Sequence, residues 1–148
     1  MTTTIATTRD EAQIRQIVAD TTDAICAKDL DRIVAYYADD VIFFDVKPPF
    51  QSKGVDAVRR IWAECFPYLA DSFEIETQDL KVTVSGDLAI AHWIGCFTGM
   101  MAEYPAMQTW MRFTSVLQRN QGQWQIVHEH GSVPFNPETS QAVFTKEI

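Results

Sequence analysis

What the chain lacks narrows its class first. It has no basic run, and its formal charge is −8, from 12 lysines and arginines against 20 aspartates and glutamates. A nucleic-acid partner is therefore not expected, and an acidic surface repels an anionic membrane. No apolar run approaches the roughly 18 residues that a membrane helix needs. The 3 cysteines, Cys26, Cys65 and Cys96, lie far apart and form no Cys-x-x-Cys pair. That pattern fits free thiols in a reducing compartment rather than a disulfide framework. The opening MTTTIATTRDEA has neither the basic start nor the apolar core of a secretory signal. No repeat, linker or low-complexity segment is visible. These absences predict a soluble, cytoplasmic protein with one domain over residues 1–148.

What is present fits that picture. Hydrophobic residues make up 47% and charged residues 22% of the 148, ordinary values for a folded domain. A chain of this length buries roughly two thirds of its unfolded surface and needs no staples. Thr8 and Glu11 have capping-box spacing, and Ile14, Ile17, Val18, Thr21 and Ile25 follow at helical spacing. Lys28 suits the negative end of that helix. Asp29 predicts the cap of a short second helix, with Ile33, Val34 and Tyr37 on one side. VIFFDV (residues 41–46) reads as a strand that Pro48 and Pro49 stop. After Gly54, Val55, Val58, Trp62, Cys65 and Phe66 predict a third helix, closed by Pro67.

From Asp71 onward the pattern alternates. SFEIETQDLKVTV, LAIAHWIGCFTGMM, AMQTWMRFTSVLQR and QWQIVHEHG are four β-stretches, separated by SGD, EYP and NQG. They predict an antiparallel meander. The expected fold class is α+β, with three N-terminal helices packed on a strongly curved antiparallel sheet that encloses a central cavity. The core spans about 8–135, and the tail beyond Pro134 carries little pattern and is expected to be loosely ordered.

Two motifs carry a resemblance. YYADDVIFFD (residues 36–45) resembles the helix-to-strand segment of ketosteroid isomerases. WQIVHEHGSVPF (residues 124–135) is similar to the last strand of SnoaL-like proteins and of the calcium/calmodulin-dependent kinase association domain. The chain thus resembles the nuclear-transport-factor-two-like superfamily, a cone-shaped fold that hosts isomerases, dehydratases, cyclases and assembly domains. In the isomerases an aspartate ends the matching strand as general base, which places Asp45 in that role. Their two oxyanion donors, a tyrosine and a protonated aspartate, correspond to Thr21 and Ser115 here, so a true steroid isomerase is not expected.

Strand alternation separates the residues of the last motif. Trp124, Ile126, His128 and His130 share one face; Gln125, Val127, Glu129 and Gly131 share the other. The resemblance turns Val127, Glu129 and Gly131 toward the cavity. It also turns inward Phe43 and Asp45; His92, Ile94 and Cys96; and Met111, Phe113 and Ser115. Trp93, Trp110 and Trp124 are then left on the outer face with His128 and His130. So large an apolar patch predicts a homodimer through that face.

Asp45, His92 and Glu129 are the candidate catalytic residues. Asp45 is either a turn aspartate paired with Lys47 or a desolvated base at the pocket wall. His92 is either a satisfied core histidine or an acid–base partner. Glu129, turned inward, needs a partner such as Arg119, or a proton. Tyr37, Phe43, Trp62, Phe66 and Phe113 are candidates for the lining, as are Ile94, Cys96, Ser115 and Val127. His128 and His130 have the spacing of a metal pair but lack a third ligand on their face, so no metal is expected. The expected activity is a cofactor-independent isomerisation, dehydration or cyclisation of a small, largely apolar carbonyl compound. The alternative is a non-catalytic domain for ligand binding or assembly.

Overall fold

A computed structural model describes residues 2–99 and 105–148. Glu103 and Tyr104 of the expected EYP break, and the end of the preceding β-stretch at Met100 and Met101, lie outside the described residues. Three helices form: α1 (Thr2–Cys26), α2 (Leu30–Val34) and α3 (Val55–Cys65). The strands are β1 (Tyr37–Phe44), β2 (Ser52–Lys53), β3 (Glu74–Ser85), β4 (Leu88–Thr98), β5 (Met111–Asn120), β6 (Gln123–Ser132), β7 (Phe135–Asn136) and β8 (Gln141–Ala142).

The helical stripe expected around Ile14 is the buried face of α1: Ile14, Ile17, Val18, Ala24 and Ile25 all lie in the core. Thr8 does not start this helix, which runs back to Thr2. Glu11 pairs with Arg15 one turn on, at 3.2 Å, instead of capping. Asp29 does cap α2, its carboxylate accepting from the Arg32 N–H. Tyr37 belongs not to that helix but to β1, which starts four residues earlier than the sequence suggested.

The meander is present: β3, β4, β5 and β6 pair antiparallel in sequence order. At the β5–β6 turn Gln121 and Gly122 both take positive φ (53° and 78°), the primed geometry that matches strand twist. The whole sheet has the order β2-β1-β6-β5-β4-β3. It is mixed rather than purely antiparallel, because β1 runs parallel to β6. No hairpin joins those two strands, so nothing in the connection imposes an antiparallel pairing. Helices cover one face, with α1 against β3 and α3 against β1. No helix among the described residues is long and apolar enough to cross a membrane.

Where little pattern was expected, the tail folds back. β7 and β8 form a small hairpin. Beyond it the Thr145 carbonyl accepts from the Trp110 backbone N–H, and the Lys146 carbonyl accepts from its indole Nε1–H, each at 2.9 Å.

Candidate functional site

The site rests on a register slip. Val116 opposes His128 and Leu117 opposes Ile126, so Val127 is an extra residue in β6. The bulge changes which side chains share a face. Trp124 and Ile126 point into the core before it, and Glu129 and Gly131 point inward after it. Trp124 is 5% exposed and Glu129 8% exposed. The expected outward placement of Trp124 is thereby overturned, as is the lining role of Val127, which does not border the cavity.

The cavity, about 60 Å³, lies between α1, α3 and the inner faces of β4, β5 and β6. A water needs roughly 10–15 Å³ by this measure, so the space takes a handful of waters or one small molecule. Its walls are mostly apolar, with Trp62, Trp93, Phe97, Met111 and Phe113 prominent. Among the described residues, Glu129 is the lone carboxylate of the lining. Its Oε1 accepts from the Tyr37 hydroxyl at 2.9 Å and its Oε2 from the Ser115 hydroxyl at 2.6 Å. Burial pushes the Glu129 carboxyl above its usual range, and the bonds from Ser115 and Tyr37 offset part of that rise. Burial, and then the charge of Glu129, push the Tyr37 phenol well up, so it stays a donor. Two donors and an apolar surround thus hold a carboxylate whose proton affinity is shifted toward neutrality.

Arg119, the expected partner of Glu129, goes elsewhere. It pairs with Asp10 at 2.7 Å and Asp87 at 2.9 Å, with its guanidinium 4.8 Å over the Trp124 ring.

Asp45 ends up just beyond β1, outside the cavity lining. Its Oδ1 accepts from the Val46 N–H at 2.7 Å, and its Oδ2 lies 3.9 Å from Lys47 Nζ. That is the turn geometry with a lysine pair. Burial raises its pKa too, against the Val46 N–H and the Lys47 charge. His92 is exposed, on the face away from the helices. In β4 the inward set is Ala89, Ala91, Trp93, Gly95 and Phe97, one residue out of step with the expectation. Ile94 accordingly lies on the outer face, half-buried. Cys96 is buried and borders the cavity, but its thiol is directed to the Gln108 carbonyl at 3.3 Å.

Met111, Phe113 and Ser115 point inward as expected. The Phe113 ring stacks on Trp93, with centroids 5.5 Å apart. It also lies over two glycines on neighbouring strands. A Cβ at Gly95 or at Gly131 would come within 3.1 Å of it. Phe43 is core, its ring 6.4 Å from Tyr37, and Phe66 packs in a second cluster with Leu69 and Phe73. Neither borders the cavity.

The tryptophan patch predicted for the outer face does not form. Trp93 and Trp124 face inward, and Trp110 is buried where the tail bonds to it. The outer face therefore lacks the apolar patch on which a homodimer was expected to form. His128 and His130 do stay on the outer face, flanking Phe44, and His128 Nδ1 donates to the Ile42 carbonyl at 2.8 Å. Among the described residues no group of three or more His, Cys, Asp or Glu is placed to hold a metal ion.

The sequence pattern of the SnoaL-like domain matches residues 14–136. The chain belongs to the SnoaL-like family. A nuclear-transport-factor-two-like protein of unknown function from Pseudomonas putida shares 35% identity with this SnoaL-like chain. The match covers 95% of this chain and 98% of that one, with a TM-score of 0.86. A protein from Novosphingobium aromaticivorans, proposed to be a scytalone dehydratase, superposes with a TM-score of 0.73 at 14% identity. It covers 100% of this chain and 93% of its own. A proposed dehydratase from Streptomyces avermitilis gives 0.69 at 18% identity, over 86% and 98% of the two chains. At such identities these two share the fold. No curated protein sequence matches the chain.

Proposed function

We propose that this SnoaL-like protein catalyses proton transfer at a carbon next to a carbonyl, in the isomerisation or dehydration of a small, largely apolar molecule. The observation that carries the reading is Glu129, a cavity carboxylate with raised proton affinity, fixed by two hydroxyls. A base works best when its pKa lies near the operating pH, and desolvation moves Glu129 in that direction. Cavity-lining Trp62, Trp93 and Phe113 suit an apolar substrate.

Glu129 takes the α-proton. The C–H electron pair becomes a carbon–carbon double bond, and the carbonyl π pair moves onto oxygen. In an isomerisation the pair on oxygen re-forms the carbonyl, the carbon–carbon double bonds shift, and the Glu129 carboxyl returns its proton to the more distant carbon of the conjugated system. In a dehydration the pair collapses back, the β-carbon–oxygen bond breaks, and the leaving hydroxide departs as water with that proton. Neither course requires a bound cofactor. The two proposed dehydratases with this fold are consistent with such chemistry.

The test is deuterium exchange into cyclopentanone in D2O, followed by NMR. Wild-type protein should accelerate exchange at the α-carbons, and Glu129→Gln should lose about 100-fold or more of that acceleration. Equal rates in the two proteins overturn the reading. Binding of the ketone without any exchange makes the protein a binding domain instead.

A further inference from the structure

The helical wall of the cavity carries a polar group that the proton-transfer reading leaves idle. Trp62, on α3, borders the same cavity as Glu129. Its indole Nε1 is fully buried and has no hydrogen-bond partner among the described residues. Orphaned buried donors are rare enough that each asks for an explanation. The hydroxyls of the lining, by contrast, are engaged. Thr21 and Thr22 each donate to the backbone of their own helix at 2.8 Å, and Ser115 donates to Glu129 at 2.6 Å. Trp124 Nε1 is also buried and unpartnered among the described residues, but Trp124 lies in the core and does not border the cavity.

We propose that Trp62 Nε1–H is the anchor for the ligand's carbonyl oxygen. An indole nitrogen only donates, so this wall selects a ligand that presents an acceptor and discriminates against its hydrocarbon isostere. A buried acceptor completes the orphaned N–H. The same bond strengthens as negative charge builds on the oxygen, because a hydrogen bond to an anion is stronger than one to a neutral group. Trp62 keeps its proton throughout: it stabilises the enolate oxygen, while Glu129 handles the proton on carbon. The catalytic half of this inference rests on the proposed role of Glu129; the anchoring half does not.

The experiment uses 15N-indole-labelled protein, whose 4 tryptophans give separate indole signals. The Trp62 signal is the one lost in Trp62→Phe. Wild-type protein is titrated with cyclopentanone and with methylenecyclopentane, which has the same shape and no acceptor. The Trp62 indole proton should move downfield with the ketone and stay in place with the hydrocarbon. Trp62→Phe should weaken ketone binding about tenfold and hydrocarbon binding less than about twofold. Deuterium exchange should fall about 100-fold in the same variant, as when an oxyanion donor is removed. An indole signal that responds equally to both probes overturns the anchor, as does a cavity that does not take the ketone. If the variant does not fold, the Trp62 signal is assigned instead through its backbone resonances in uniformly 13C,15N-labelled protein, so the wild-type titration stands. A downfield shift without exchange sinks the role of Glu129 and leaves the anchor; exchange without the shift does the reverse.

Discussion

Asp45 and Glu129 are two desolvated carboxylates, one just past the end of β1 and one within the adjacent β6, and they are held in opposite ways. Glu129 sits within β6, and side-chain hydroxyls from two other strands grip it. Asp45 sits past the end of β1, where its own backbone and a half-exposed lysine neutralise it. Burial raises both. Only Glu129 borders enclosed space. A raised pKa is thus a property of surroundings, and chemistry additionally needs room for a substrate.

The sharpest break of this contrast is in turnover. Glu129→Gln should abolish α-carbon exchange, while Asp45→Asn should keep it within about tenfold of wild type. A reversed order would move the base to the strand end.

Next in size is the effect on the hydroxyl pair. Tyr37→Phe and Ser115→Ala each remove a bond that favours the charged form of Glu129. The rising limb of the pH–rate profile should shift to higher pH in both, and each variant should lose about 1–2 kcal/mol of stability in urea melts. An unmoved limb would mean the hydroxyls do not tune the carboxylate.

A smaller effect concerns stability against pH. Glu129 binds its proton more tightly folded than unfolded. Its contribution is therefore full below the unfolded glutamate range, about pH 4, and is lost as pH rises through the folded pKa. Glu129→Gln should flatten that decline relative to wild type, while Asp45→Asn should remove only the part that Asp45 contributes. Parallel curves for wild type and Glu129→Gln would remove the raised pKa from the argument.

The smallest expected effect is on the far side of the sheet. His92→Ala should leave exchange unchanged and stability within about 0.5 kcal/mol. A measurable loss of exchange would return His92 to the site.

Much of the fold was legible because its signals are local. Helical spacing placed α1 and α3, and alternation with NQG and SGD turns placed the meander. The parallel pairing of β1 with β6 was not legible, since strands far apart in sequence leave no mark on each other's pattern. The site was half legible. Glu129 faces the cavity as expected, and Ser115 and Phe113 with it. Trp124 was misplaced because a bulge at Val127 is a backbone event with no side-chain signature. In β4 both sets of alternate residues are largely apolar. Leu88 and Ile90 lie on the exposed side at 48% and 43%, while alanines face in, so hydrophobicity could not choose the side. The partners of Glu129 were missed although Tyr37 and Ser115 were both on the candidate roster. A hydroxyl at an inward position opposite an inward carboxylate, as Ser115 is opposite Glu129, was the signal available.

The Phe113 ring, lying over Gly95 and Gly131, occupies the volume that two side chains would otherwise fill. A single methyl at either glycine would have to displace the ring, and the ring is a wall of the chamber. The capacity of this chamber is therefore set from strands on either side of Phe113, without touching Glu129 or the two hydroxyls that hold it. Two missing side chains act as a dial on chamber size, one carbon atom per step.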